Sequence, residues 1–307
     1  MTPMLLFDFL PDVSEFFDNI WQNVLKKLYD ALYDSVQGSF DALFDILNNE
    51  VAKASTNITG GVKGWNSTAF DLVRTISETV CIPLAASLIT IIFCWELIHL
   101  IQENNNMGNV KPDRIMLEFL KFGLCLFVCA KSFDIIMAFF DLGAWASGQL
   151  GKLTSSELSQ FNVELSDILD PEPEVYELGD IMSLCGYKII LFVGKIGIAV
   201  CGMIVYIRVM LWFLEILLYA GAAPIPYSTW ANKEWSQVGM NYTRKMLALA
   251  FEGFFMLLLF SIYGGVVSGV ATGDFMQSMV MVIGCGFALA VMMFKTGNIS
   301  ASIFNAH

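Results

Sequence analysis

The chain has 307 residues, of which 56% are apolar and 15% charged, against about 45–50% and about 25% in soluble domains. That balance excludes an ordinary soluble globule and indicates an all-α polytopic membrane protein. The net charge of −12 argues against a broad nucleic-acid-binding surface, which needs clustered Lys and Arg to neutralise phosphates, although nucleic acid can still pass through an assembly.

The opening MTPMLLFDFLPD lacks the basic n-region of a secretory signal, so insertion is expected to rest on internal spans. Residues 11 to 49 predict amphipathic helix. Val13, Phe16, Phe17, Ile20, Trp21, Val24, Leu28, Leu32 and Val36 recur at three- and four-residue spacings, and Phe40, Leu43, Phe44 and Leu47 continue them after an expected break at Gly38. The opposite face is acidic, with Asp12, Glu15, Asp18, Asp30, Asp34, Asp41 and Asp45. Helices that lie on lipid carry Lys and Arg there, so docking on a protein partner or neighbouring subunit is favoured, with a hairpin folded on itself as the alternative. TNITGGVKGWNST then reads as a Gly-rich linker. It closes an N-terminal region, residues 1–78, ahead of a transmembrane domain, residues 79–307.

The first span is expected over Thr79–Ile101, with Pro83 in its first turn or so and Trp95, Glu96 and His99 near its far end. Glu96 and His99 share a helix face, which suits interfacial packing better than a proton relay. A polar loop with Lys111 and Arg114 leads to a second span over Ile115–Gly148, longer than a bilayer needs. There Glu118 with Lys121, and Lys131 with Asp134, place opposite charges three residues apart. Residues 151–180 form an acidic extramembrane loop, with LDPEPEVYEL as an extended crossing. Its carboxylates lack the alternating spacing of a calcium loop. The seven cysteines all lie in apolar runs without CxxC spacing, so buried thiols are expected, and no metal or cofactor.

From Ile181 the sequence stays apolar for some forty residues, although a bilayer core needs about twenty helical ones. It stops at Gly221, Ala222, Ala223, Pro224 and Pro226, where fixed φ and missing donors end a helix. A Trp-containing connection with Trp230 and Trp235 follows, then two further apolar runs joined by a short turn. Gly265, Gly269 and Gly273 form a GxxxGxxxG series suited to close helix packing, or serve as turn residues. Lys188, Lys195 and Arg208 lie inside the central run. Ionisable groups at that depth must face protein or water, so they either line a cationic passage or pair with Glu118, Asp134, Glu215 or Glu252.

Lys and Arg in short loops mark the cytoplasmic side. Lys111 and Arg114, then Lys233, Arg244 and Lys245, then Lys295 assign three such segments, and the acidic loop falls outside. These agree if the central run crosses once, as one helix of roughly 60 Å. The result is five transmembrane helices with the N-terminus outside and the C-terminus cytoplasmic. The alternative folds the run into two spans turning near Gly202 to Arg208, giving six.

At LLYAGAAPIPYSTWANKEWSQVGMNYTRKMLALAFEGFFMLLLF the sequence resembles the TrbL-like, VirB-six-type family, the polytopic inner subunit of type IV secretion and conjugation systems. An apolar helix ends in Ala223 and Pro224, a Trp-containing connection carries Trp230, Trp235 and Tyr242, and another apolar helix follows. The resemblance covers roughly Ile181 to Lys295. It implies a non-enzymatic channel or scaffold subunit in the bacterial cytoplasmic membrane, with a secretion-system membrane partner, a secretion ATPase and relaxase-bound single-stranded DNA as partners. Residue chemistry adds that a passage wide enough for single-stranded DNA would be lined by several copies, as a homo-oligomeric ring. The rival readings are an intramembrane enzyme, for which HExxH, GxSxG and phosphate-loop motifs are lacking, a polytopic solute transporter, for which no internal repeat is visible, and a pore-forming protein.

Overall fold

The computed structural model describes residues 9–103, 112–154, 165, 176–268 and 275–306. Among the described residues every regular element is helical: α1 (Phe9–Trp65), α2 (Ser67–Ile76), α3 (Ile82–Glu103), α4 (Pro112–Ala130), α5 (Ser132–Thr154), α6 (Leu178–Ala222), α7 (Pro224–Ser228), α8 (Ser236–Ser268) and α9 (Phe275–Ile303). The fold is the all-α class expected. Four helical runs are long and apolar enough to cross a membrane: Ser67–Gln102, Leu178–Ala231, Ser236–Val267 and Phe275–Ile303. The bent pair Pro112–Ala130 and Ser132–Lys152 makes a fifth if it counts as one span. The expected loop with Lys111, most of the acidic loop 151–180, and Gly269 and Gly273 lie outside the described residues.

The central apolar run forms one helix. α6 has 45 residues, about 68 Å at 1.5 Å per residue, roughly twice the hydrocarbon thickness of a bilayer. It passes without interruption through Gly202 to Arg208, so the two-span alternative has no turn to rest on.

Three local expectations are corrected. α1 runs through Gly38 without a break, and the stretch read as linker is largely helical, but a kink at Gly61 (φ 70°, ψ 178°) separates two helices there and Asn66 opens a third. Helical glycines are tolerated where tertiary packing outweighs their propensity, and the left-handed φ at Gly61 is open to a residue without a Cβ. Upstream of Pro83, helix also extends back to Ser67, through a π turn over Ser77–Cys81. Proline offers no donor to the carbonyl four residues before it, and a single π turn absorbs that loss without ending the helix. Last, the second apolar run is not one straight helix, because α4 and α5 meet at a 60° bend. Ser132 is buried there and its hydroxyl donates to Cys129 O at 2.8 Å, a back-bond of the kind that bends helices.

The chain divides into two compact units. One comprises the described residues of 1–51, 157–204 and 262–290. Its core joins Leu43, Phe44 and Leu47 of α1 to Leu191 and Ile198 of α6, and to Met279 and Val282 of α9. Glycines on α6 and α9 allow the helices to close. A Cβ at Gly194 would sit 3.1 Å from Ile283 Cδ1 and 3.3 Å from Leu43 Cδ1, and one at Gly286 would sit 2.7 Å from Ile198 Cδ1.

The other unit comprises the described residues of 52–156, 205–261 and 291–307. Trp65 stacks on Phe213 with ring centroids 4.9 Å apart, and Trp212 Nε1 donates to Leu249 O at 3.0 Å, fixing α6 against α8. A Cβ at Gly253 would come within 2.7 Å of the Trp212 ring. α5 crosses α8 so closely that a Cβ at Gly143 would overlap the carbonyl of Ala250. By contrast, only 17% of the most apolar window of the α2–α3 run is buried within the chain, against 56% for α8. Leu84, Leu88, Ile91 and Ile98 stand exposed on α3, the surface of a helix that faces lipid or another subunit.

Overpacking at a backbone-to-backbone crossing costs about 1–3 kcal/mol. Gly143→Ala is therefore expected to destabilise the detergent-solubilised protein by about that much. Gly148→Ala on the same helix, where a Cβ meets nothing within 4 Å among the described residues, should leave the thermal midpoint unchanged or raise it slightly, alanine being the better helix former.

Candidate functional site

The three basic residues of α6 fall into different surroundings. At about 100° per residue, Lys188 and Lys195 lie about 20° apart around the helix and Arg208 at least about 140° from either. Lys188 is exposed and its Nζ donates to Ser35 Oγ at 2.5 Å. Lys195 is half-buried. Arg208 is 9% exposed and is ion-paired with Glu252 of α8, which is 2% exposed.

That pair is the centre of a charged site. The ion pair packs against the bare Cα of Gly297 on α9, where a Cβ would lie 3.0 Å from Glu252 Oε1 and 3.2 Å from Arg208 Nη2. Close by, Ser300 Oγ donates to Ala248 O at 2.5 Å, tying α9 to α8. Lys245 Nζ stands 3.9 Å from Glu215 Oε1, a looser and half-exposed pair. These four charged residues, with Leu249, Phe294 and Asn298, line a cavity of about 470 Å³. Two cations and two carboxylates leave it formally neutral, and within the chain Arg208 is paired with Glu252. Sequence inspection had Glu252 among several acidic candidates; only the crossing of α6 with α8 selects it.

The helix break after α6 is also built, residue by residue. Pro224 and Pro226 cannot donate to Ala220 O and Ala222 O, and Ala223 N turns to Ala220 O at 3.3 Å instead of reaching Tyr219 O. Side chains supply substitute donors. Tyr242 Oη donates to Tyr219 O at 2.5 Å, and on α4 the thiols of Cys129 and Cys125 reach Pro224 O at 3.4 Å and Tyr227 O at 3.3 Å. Away from water every such carbonyl needs a partner. The two cysteines thus have a structural task that spacing alone did not reveal. Trp230 meets Tyr227 edge to face at 4.9 Å and covers Gly239, where any Cβ would overlap its indole. Trp235 remains 55% exposed, and Asn232 Oδ1 accepts from Glu234 N and Trp235 N, turning the chain into α8.

The helix pairs read from spacing are present: Lys121 Nζ lies 2.6 Å from Glu118 Oε1, and Lys131 Nζ 3.7 Å from Asp134 Oδ2. Glu96 and His99 face a polar cavity with Glu118, Lys121, Asn232, Lys233 and Glu234. A Cβ at Gly265 meets nothing within 4 Å among the described residues. Among the described residues a Cβ would come within 2.8 Å of a neighbour at Gly143, Gly221, Gly239, Gly253 and Gly286, none of which has another glycine four residues away.

Removing one member of a buried ion pair strands the other and costs about 3–5 kcal/mol, whereas replacing both with apolar residues is often neutral. Glu252→Ala is expected to lower stability in detergent by that amount. The double variant Arg208→Met with Glu252→Leu should recover most of the loss in the same thermal unfolding measurement.

No curated protein and no solved structure matches the chain. The family described as TrbL/VirB6 plasmid conjugal transfer like protein matches residues 47–224. That match includes α6 and ends at Pro224, so it overlaps the resemblance read from Ile181 onward but extends towards the N-terminus, leaving Trp230 and Trp235 beyond it. It covers more than half of the 307 residues, and the chain belongs to the TrbL/VirB6 conjugal transfer-like family.

Proposed function

We propose that this protein is a non-enzymatic channel or scaffold subunit of a conjugative type IV secretion apparatus. In this reading several copies assemble in the bacterial cytoplasmic membrane around a passage for single-stranded DNA with bound relaxase. The observation that carries it is the family match over residues 47–224, a region that contains the whole of the 45-residue α6. A helix about twice as long as a bilayer is thick leaves apolar surface outside the lipid, and neighbouring copies would bury that surface. Within the proposal the N-terminal region, residues 1–78, is extracytoplasmic and docks on the secretion machinery, while residues 79–307 form the membrane domain. The helix break at Pro224 and Pro226 ends α6 ahead of the Trp-containing connection, and the glycines at 265, 269 and 273 pack against another helix. Lys188 and Lys195, on one side of α6, are the cationic groups offered to the phosphates of the strand, and Arg208 serves the helix interface through Glu252. A membrane partner and a secretion ATPase complete the apparatus.

Two measurements test this reading. Fusing a reporter active only outside the membrane after Asp180, and one fluorescent only in the cytoplasm after Lys233, is expected to give signal from both; signals placing both sites on one side would overturn the single crossing. Lys188→Gln with Lys195→Gln should lower conjugation frequency by about tenfold or more through lost phosphate attraction, at unchanged membrane levels of the protein. Unchanged transfer would remove these lysines from the pathway.

A further inference from the structure

Where α3, α4 and the Trp-containing connection meet, two cavities of opposite character adjoin. The polar one, about 530 Å³, is lined by Trp95, Glu96, His99, Glu118, Lys121, Lys233 and Glu234 among others. The apolar one, about 370 Å³, is lined by Leu124, Cys125, Val128, Trp230 and Met240. Lys121 belongs to both. Both volumes lie within the usual range for small-molecule sites, about 300–1,000 Å³. A charged chamber and a greasy groove joined at one lysine have the outline of an amphiphile.

The surroundings set its depth. Trp95, Trp230 and Trp235 are 62%, 36% and 55% exposed, and such partly exposed indoles collect at the headgroup level of a bilayer. The charges set its chemistry. Glu96, Glu118 and Glu234 share the chamber with Lys121 and Lys233, Lys121 resting on Glu118 at 2.6 Å and Glu96 Oε1 accepting from Lys233 N at 3.4 Å. A purely anionic headgroup would bring its phosphate against three carboxylates. A headgroup with an ammonium beside its phosphate answers both signs: N–H donors to Glu96 and Glu234, phosphate oxygens to Lys121 and Lys233. A trimethylated ammonium has no N–H to give.

We propose that these adjoining cavities hold one zwitterionic aminophospholipid, its phosphoethanolamine headgroup in the polar chamber and an acyl chain in the groove of Leu124, Val128, Trp230 and Met240. The site lies apart from the Arg208–Glu252 centre, and the proposal does not depend on what passes through the assembly.

The test uses the full-length protein in detergent supplemented with dioleoyl phosphatidylethanolamine, phosphatidylcholine or phosphatidylglycerol, with retained lipid counted by native mass spectrometry. One phosphatidylethanolamine per chain is expected, held about tenfold more tightly than the other two, the discrimination worth one charge-assisted contact. Glu96→Gln should abolish that preference, whereas Lys121→Gln, which removes a contact to the phosphate common to all three lipids, and Leu124→Trp, which fills the groove, should each lower retention of all three. Glu234→Gln, on an exposed side chain, gives a second reading of the preference in case Glu96→Gln does not fold, with helix content checked by circular dichroism. Water-soluble O-phosphoethanolamine should not displace the lipid. Equal retention of the three lipids, a preference for phosphatidylglycerol, a phosphatidylethanolamine preference that survives both Glu96→Gln and Glu234→Gln, or displacement by the soluble headgroup would each overturn the proposal.

Discussion

A charge cannot be carried at the depth of an apolar helix without a counter-charge, and Arg208 meets that demand through Glu252. The ion pair fixes more than two side chains. It sets the register of α6 against α8, and it leaves room for α9 only where Gly297 presents no Cβ. Trp212 donating to Leu249 O and Ser300 donating to Ala248 O secure the same crossing on either side. A slip of α8 by one residue would turn Glu252 about 100° away and leave a guanidinium unpaired among apolar neighbours.

The same accounting applies to the backbone. The break at Pro224 and Pro226 draws Ala223 N to Ala220 O, so a phenol meets Tyr219 O, and beyond the break two thiols reach Pro224 O and Tyr227 O. The thiol is a weak donor, but it is compact and tolerates an apolar setting, which suits a helix that must approach a break closely. Two of the seven cysteines, Cys125 and Cys129, are thereby explained as part of a helix terminus, while Cys94 and Cys185 are exposed and not buried as expected.

How legible each element was in the sequence follows from the range of the forces that determine it. The long apolar run predicted α6 because hydrophobic periodicity is local and has no turn-forming residue to interrupt it. The pairs Glu118 with Lys121 and Lys131 with Asp134 were legible for the same reason, being one helical turn apart. The Gly-rich stretch marked a real kink at Gly61 and a new helix start at Asn66 but not an extended linker, because glycine lowers helix propensity without forbidding helix, and burial of Val51, Ala54, Ile58 and Val62 outweighs it. The bend after Ala130 has neither proline nor glycine to announce it; its mark is a serine placed to bond back to Cys129 O. Gly143 was invisible because its reason lies in the carbonyl of Ala250, more than a hundred residues on. Among the basic residues of α6, sequence set out the choice between lining and pairing, and only tertiary contact assigned Arg208 to Glu252.

The separation of that pair along the chain bears on how the protein is made. Arg208 precedes Glu252 by 44 residues, so at about 5–20 residues per second the arginine leaves the ribosome about 2–9 s before its counter-charge exists. During that interval α6 has no partner for its guanidinium in lipid. An unpaired arginine at the centre of a lone helix costs about 2.5–3.5 kcal/mol to insert, and that cost is relieved only when α8 brings Glu252 beside it. A chain halted between the two helices would hold Arg208 without its counter-charge.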